Sequence, residues 1–209
     1  MSTTNWENER RRLYNWGILP VDDVPENVVY YLKSNISDNN YNYSLAGHIK
    51  EEYKYKDWPK FIDEFVLDKL KDPLLDEWTK RQKQLTSNRP YVLNDLWVNK
   101  QKKHEFNPIH DHGGVFSFII FLKIPYDLKD EANVFPKNSK NSTSCSKLCF
   151  LVTDFIGEVQ GIEVPVDKSF EGKMLMFPAK LKHQVYPFYT SDDYRITVSG
   201  NVTFWVEDK

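Results

Sequence analysis

The second half of the chain is a succession of short apolar or alternating segments, rich in β-branched and aromatic residues and separated by polar turns. This pattern predicts strands rather than helices. The predicted strands are 93–102, 114–124, 147–156, 160–166, 173–177, 183–189 and 193–206. Because little helical periodicity lies between them, the pattern indicates a β-sandwich or a β-barrel.

The first ninety residues have a different pattern. Val28, Val29 and Leu32 follow acidic N-cap candidates and predict a helix over about 23–35. Apolar residues at helical spacing between 61 and 78 predict a long amphipathic helix, bent or split at Pro73. The predicted fold class is therefore α+β, a single domain over 1–209 in which a helical support layer, 1–90, backs a β core, 91–206.

The segment 125–146 is polar and rich in lysine, asparagine and serine. It is longer than an ordinary connection between strands, and such long connections are often functional. We predict that it is a lid over the site, with a passive insertion as the alternative.

Charge and targeting signals exclude several classes of function. The 209 residues include 28 basic and 30 acidic side chains, a formal net charge of -2, so nucleic acid binding is not supported. Neither a signal peptide nor a run of about 18 apolar residues is found, which predicts a cytoplasmic protein without a membrane span. Two cysteines, Cys145 and Cys149, are too few for a disulfide framework.

Three of the five histidines fall into two short patches, with His110 and His112 in one and His183 in the other. On an extended chain residues i and i+2 project to the same face, so the first two can point at one metal ion. A third imidazole from a distant strand would complete one face of an octahedron, as in non-haem Fe(II) oxygenases. The alternatives are surface imidazoles for the pair and a hydrogen-bonded core histidine for His183.

The order of features around these histidines is informative. The chain has a glycine turn at Gly172, then an apolar strand, a proline turn at Pro178 and His183. This order is found in a double-stranded β-helix, the jelly-roll fold of cupins and 2-oxoglutarate oxygenases. Together the segments resemble a family of 2-oxoglutarate- and Fe(II)-dependent oxygenases found in phages and bacteria. The resemblance covers roughly 90–206, with a weaker echo in 45–53, and is carried by 96–99, 107–112, 116–122, 172–183 and 194–201.

The resemblance implies a set of ligands and cosubstrate contacts. Fe(II) would be bound by His110, His112 and His183, and 2-oxoglutarate by Arg195, with Thr197 beside it. A guanidinium suits the distal carboxylate of 2-oxoglutarate because it donates two parallel charge-assisted hydrogen bonds. Further hydrogen bonds to the cosubstrate or substrate are predicted for Asn99, Gln101, Ser117 and Asn201.

Two positions leave alternatives open. Most 2-oxoglutarate oxygenases have a carboxylate where this chain has His112, so Asp111 is a fallback ligand if the strand is distorted there. Arg195 would have only a structural role if it were a surface residue paired with Asp192 or Asp193.

The activity implied is that of a dioxygenase using Fe(II), 2-oxoglutarate and O2, which hydroxylates a C–H bond and releases succinate and CO2. The prime substrate, a protein side chain or a small molecule, is not identified by the sequence, and neither is the oligomeric state. Two alternatives remain: a three-histidine cupin-type dioxygenase in which Arg195 holds a substrate carboxylate, and a non-catalytic barrel that binds a small acid or a protein segment.

Overall fold

The structure, a computed structural model, describes residues 4–76, 79–80, 89–135, 144–154 and 156–205. Its helices are α1 (Asn5–Asn15), α2 (Glu26–Ser34), α3 (Lys60–Asp68) and α4 (Leu128–Glu131). Its strands are β1 (Leu19–Val21), β2 (Glu51–Lys54), β3 (Tyr91–Gln101), β4 (Asn107–His110), β5 (Phe116–Lys123), β6 (Leu148–Thr153), β7 (Val159–Val164), β8 (Met174–Pro178), β9 (His183–Val185) and β10 (Arg195–Phe204). Within the described ranges, no helix is long and apolar enough to span a bilayer.

The strands form two antiparallel sheets. The larger has the order β1-β8-β5-β10-β3-β2, and the smaller has the order β4-β9-β6-β7. Strands β3 to β10 supply four strands to each sheet, and β1 and β2 extend the larger sheet at its two edges. The predicted double-stranded β-helix of an α+β chain is confirmed.

Alternation along the central strand β5 places hydrophobic core on both sides of the large sheet. Phe116, Phe118 and Ile120 belong to the cluster that packs against α2 and α3. Ile119 and Phe121 face the small sheet, with Phe150, Phe177 and other apolar residues. Because both faces are covered, β5 is apolar almost throughout and buried over Phe116–Leu122.

The first ninety residues differ from the predicted helical layer because they also contain β1 and β2. These strands are only three and four residues long, too short to give a clear alternating pattern. The sequence analysis also missed α1, whose start is fixed by a capping box between Thr4 and Glu7.

Other boundaries agree with the pattern or differ for a local reason. The helix predicted to be bent or split at Pro73 is split. Its first part, α3, ends at Asp68 and is followed by a 3₁₀ turn, and a second helical part begins at Pro73. Strand β9 ends at Val185, two residues before Pro187, which has no amide hydrogen to donate to a neighbouring strand. Within the predicted lid, α4 is helical and 136–143 lie outside the described residues, as do Trp78 and Phe155.

Replacing Gly200 by alanine is expected to destabilise the protein by about 2 to 3 kcal/mol. A Cβ on this residue of β10 would lie 2.5 Å from Phe118 Cζ and 2.6 Å from the backbone oxygen of Asp95, so a neighbouring strand would have to move. The matched control is Gly113→Ala, because a Cβ there meets nothing within 4 Å and the backbone φ is not positive. Urea denaturation measures both variants; equal free energies of unfolding would contradict the expectation.

Candidate metal centre

The two sheets bring the three predicted histidines together. His110 ends β4 and is the register partner of His183, the first residue of β9. His112 lies two residues beyond β4 rather than on the strand, and its amide donates to the carbonyl of Ala179 at 2.9 Å. One ring nitrogen from each histidine lies within 4.8 Å of the others, so the three form a possible metal-binding group.

Hydrogen bonds orient the imidazoles of His110 and His183. Nδ1 of His110 lies 2.7 Å from the carbonyl oxygen of Pro108, and Nδ1 of His183 lies 2.9 Å from that of Leu181. A carbonyl oxygen only accepts, so each Nδ1 carries the hydrogen and each Nε2 keeps its lone pair for a metal ion.

The spacing of the rings suits a shared ion. Nε2 of His112 lies 3.3 Å from Nε2 of His183. Two adjacent ligands, each about 2.1 Å from one metal ion, stand about 3 Å apart. The His112 and His183 nitrogens therefore have the spacing of adjacent ligands, and the His110 nitrogen lies within 4.8 Å of both, on the same side.

Burial keeps the three imidazoles neutral at neutral pH. Desolvation, followed by the neighbouring His110 as the second cause, lowers the pKa of His112 to about 4 and that of His183 to about 3. The pKa of His110 is lowered as well, chiefly by burial. Neutral imidazole is the form that ligates metal ions, so the environment prepares all three rings for coordination.

Asp111 points away from this group. Its carboxylate is 3.3 Å from Lys180 Nζ and 2.9 Å from Lys182 Nζ. These lysines hold the pKa of Asp111 below its usual range. The geometry thus places His112, rather than the fallback ligand Asp111, with the other two histidines.

A cavity of about 170 Å³ opens beside the histidines. Four of the residues predicted to contact the cosubstrate or substrate line it: Asn99, Gln101, Arg195 and Thr197. Ser117 and Asn201 do not. The Ser117 hydroxyl donates to Asn201 Oδ1 at 2.7 Å, so these two side chains satisfy each other across β5 and β10, outside the group expected at the cosubstrate.

Among the described residues, Arg195 on β10 is the one lysine or arginine that lines the cavity. It is only 3% exposed, and its Nη1 donates to the carbonyl oxygen of Ser146 at 3.2 Å. No carboxylate of the described residues lies within ion-pair distance of it, since Asp192 pairs with Lys103 and Asp193 with Lys123. The surface ion pair considered for Arg195 is therefore absent, and its guanidinium is free to bind an anionic ligand.

Register explains why the polar residues share one face. Thr197 of β10 is the partner of Asn99 on β3, and Asn99 is the partner of Glu52 on β2. Residues opposite one another in adjacent strands point to the same face, so the three form one polar row on the inner face of the sheet. Arg195 and Gln101 form another pair two positions along the same two strands, so they lie on the same face.

The sequence analysis missed Glu52, which lines the cavity from the edge strand β2 and is 1% exposed. Desolvation and the nearby Glu105 carboxylate raise the pKa of Glu52 to about 7. Its only sequence signal was its place in the segment 45–53, which weakly resembles the family. Ser44, Leu45, Ala46 and Gly47 of the preceding loop line the cavity too.

The segment predicted to be a lid, 125–146, is not the loop that lines the cavity. Residues 125–135 and 144–146, the parts of it that the structure describes, add no residue to the cavity lining. The lid function of 125–146 stays a prediction.

Replacing Glu52 by glutamine is expected to stabilise the protein at pH 8 by up to about 3 kcal/mol and to change little at pH 4. The pKa of Glu52 in the folded protein, about 7, lies above its ordinary value of 4.5. The wild type therefore loses stability as the pH rises from about 4.5 to about 7. Urea denaturation at the two pH values measures the difference.

The adjacent Glu51→Gln variant is the control, since Glu51 faces outward and Lys100 and Tyr194 lower its pKa. That substitution should destabilise the protein at pH 8, by less than about 1 kcal/mol because the pair is solvent-screened. A stability gain for Glu52→Gln that is equal at pH 4 and pH 8 would contradict the expected pH dependence.

The other two histidines lie elsewhere, as expected from their lack of partners in the sequence. The ring of His48 packs against Phe106, and that of His104 packs against Tyr189. Neither belongs to the metal-binding group of the described residues.

The comparison with protein families identifies the class of the chain. Residues 95–201, just over half of the sequence, match the family described as "Putative 2OG-Fe(II) oxygenase", where 2OG is 2-oxoglutarate. The chain belongs to this family of 2-oxoglutarate- and Fe(II)-dependent oxygenases. A search of curated proteins finds no match.

Several solved structures are similar to the chain at low sequence identity. EvdMO1 has a TM-score of 0.50 and 14% identity, with 97% of this chain and 51% of that chain covered. An oxidoreductase of the 2OG-Fe(II) oxygenase family from Burkholderia pseudomallei has a TM-score of 0.49 and 10% identity over 97% of this chain and 91% of that one. A Pseudomonas putida prolyl-4-hydroxylase has a TM-score of 0.47 and 11% identity over 96% of this chain and all of that one.

Proposed function

We propose that this oxygenase binds Fe(II) through His110, His112 and His183 and 2-oxoglutarate through Arg195 and Thr197, and that it hydroxylates a C–H bond of a separate prime substrate. One observation carries the assignment. A trio of neutral imidazoles lines the same small cavity as a buried guanidinium, which has no carboxylate partner among the described residues. A metal chelated by one end of a dicarboxylate, with a cation for the other end, needs this combination.

When bound, Fe(II) with 2-oxoglutarate and O2 supplies the oxidative decarboxylation that releases succinate and CO2 and places one oxygen atom in the substrate's C–H bond. The chain's own residues bind and orient. Arg195 neutralises the distal carboxylate inside a site where an unpaired charge is costly. The Thr197 hydroxyl, which accepts from Asn99 Nδ2 at 3.5 Å, keeps its own hydrogen to donate to the same carboxylate.

Aromatic side chains shape the metal side of the cavity. The ring of His183 packs against Phe150 and Phe177, and the ring of His112 packs against Trp97. These contacts restrict ring rotation and keep bulk water from the ligand atoms.

The cytoplasm is the compartment we propose. A reducing interior keeps iron in its ferrous state and keeps the thiols of Cys145 and Cys149 free, as both are in the structure.

The test is anaerobic titration of the Fe(II)-loaded protein with 2-oxoglutarate, followed by a succinate-release assay in air. We expect a metal-to-ligand charge-transfer band on addition of 2-oxoglutarate. Iron binding without this band would favour a three-histidine dioxygenase that binds its substrate directly. A band without succinate release, even uncoupled from substrate, would favour a binding protein.

A further inference from the structure

Glu52 occupies a second charged position in the cavity, at the far end of the polar row from Thr197. It belongs to the edge strand β2, and its register partner Asn99 separates it from the strand that carries Thr197 and Arg195. The cavity therefore has a buried cation on β10 and a buried anion two strands away. The cation is assigned to the cosubstrate, which leaves the anion without a role in the proposed function.

No cationic side chain among the described residues lies within ion-pair distance of Glu52. Its Oε2 accepts a single bond, from Asn42 Nδ2 at 3.3 Å. The other carboxylate buried to the same degree, Glu131, accepts instead from the amides of Tyr189 and Thr190 and from the Thr190 hydroxyl. Burying a carboxylate without such donors is costly, so Glu52 differs from a carboxylate that only stabilises the fold.

Unsatisfied acceptors surround this carboxylate. Three buried side-chain polar atoms lack a hydrogen-bond partner in the described residues, and they are Asn42 Oδ1, Asn99 Oδ1 and Asn107 Oδ1. All three residues adjoin Glu52. Asn42 donates to it, Asn99 is its register partner, and Asn107 Oδ1 and Glu52 Oε1 both crowd the position that a Cβ on Gly47 would occupy.

The orientation of the Asn42 amide is set by its donor bonds. Its Nδ2 donates to Glu52 Oε2 and to the carbonyl oxygen of Ile49, so the atom left unpartnered is an oxygen. Asn99 lines the cavity, is 7% exposed and donates through its nitrogen to Thr197, which leaves its oxygen as an acceptor. When Glu52 is ionised, the group has too few donors for its acceptors, and one of those acceptors bears a charge.

We propose that Glu52, with the amide oxygens of Asn99 and Asn107, binds a protonated primary amine of the prime substrate, which makes that substrate a cationic amine. An ammonium group has three hydrogens and no acceptor, and its charge compensates the buried carboxylate. Gly47 keeps the position open, because a Cβ there would lie 2.8 Å from Glu52 Oε1. The inference rests on the proposed function in that it takes the cavity to be the substrate site.

Binding of n-butylamine, compared with butyrate and n-butanol, tests this assignment. The full chain is loaded anaerobically with Mn(II) and 2-oxoglutarate, and binding is followed by ligand-detected NMR, which needs no turnover. We expect the wild type to bind n-butylamine in preference to the other two. We expect Glu52→Gln to weaken n-butylamine binding at least about 10-fold, because a charged hydrogen bond is lost.

Glu51→Gln is the matched control, since Glu51 is the next residue on β2, faces the opposite side and pairs with Lys100. It should bind n-butylamine as the wild type does.

Binding of 2-oxoglutarate, measured in every variant by calorimetry, reports separately on folding and on the proposed function. If 2-oxoglutarate binds but n-butylamine shows no preference over butyrate, or binds Glu52→Gln equally well, the amine assignment is wrong. If 2-oxoglutarate does not bind the wild type, the proposed function itself fails.

Discussion

Replacing His112 by alanine is expected to lower the affinity of the protein for Fe(II) by at least about 100-fold. Loss of a residue that only orients a ligand typically costs 10-fold to 100-fold, and loss of the ligand itself costs more. His112 Nε2 lies 3.3 Å from His183 Nε2, which places it among the candidate ligand atoms. Anaerobic titration with Fe(II), or with Co(II) as a spectroscopic substitute, measures the affinity.

Asp111→Ala is the matched control for this prediction. It removes the neighbouring carboxylate, which the sequence left open as a ligand and which the structure pairs with Lys180 and Lys182 on the surface. Exposed ion pairs contribute little to stability, so this variant should bind iron as the wild type does. A large loss of affinity in Asp111→Ala with none in His112→Ala would reverse the assignment and restore the more common histidine and carboxylate ligand set.

Replacing Arg195 by methionine is expected to weaken 2-oxoglutarate binding by about 100-fold or more, with iron affinity unchanged. A desolvated charge pair that loses one partner typically costs 2–5 kcal/mol, because the other charge is left buried and unpaired. Methionine keeps much of the apolar volume of the arginine stem, so the effect isolates the guanidinium. Calorimetric titration of the metal-loaded protein measures it.

A 2-oxo acid without a distal carboxylate, such as 2-oxobutyrate, provides the control for Arg195. It can chelate the metal but has nothing for the guanidinium to bind, so wild type and variant should bind it equally. If the variant lost affinity for both acids alike, Arg195 would act on the metal side of the cavity. The free energy of unfolding of the variant should stay equal or rise, since the arginine is buried and forms no ion pair with the residues that the structure describes.

Local pattern was sufficient for the β core and for selecting the three histidines that the fold brings together. The alternation of apolar residues predicts strands because side chains on a strand point to opposite faces in turn. The His110 and His112 spacing predicts a common target for the same reason, although His112 lies beyond the end of β4. Arg195 and Thr197 share a face of β10 by the same rule, and both line the cavity.

The local pattern did not predict which residues of neighbouring strands lie opposite each other. Ser117 and Asn201 have the residue types expected near a cosubstrate, but the register places them opposite each other, where they bond to one another. Glu52 is the opposite case, a residue that the local pattern did not select and that strand pairing places at the cavity. Its segment is short and highly charged, and only the antiparallel pairing of β2 with β3 turns it toward the cavity and away from its outward-facing neighbour Glu51.

What the sequence alone determined is which residues alternate, where the chain turns and which side chains have the chemistry of an iron and 2-oxoglutarate site. The tertiary structure decided which of those side chains meet, because register and sheet order depend on contacts between residues far apart in the chain. It also decided the charge environment: burial makes the imidazoles neutral and raises the pKa of Glu52, and the described part of the chain places no carboxylate beside Arg195. Desolvation is a property of the assembled interior, and no segment of the sequence carries it by itself.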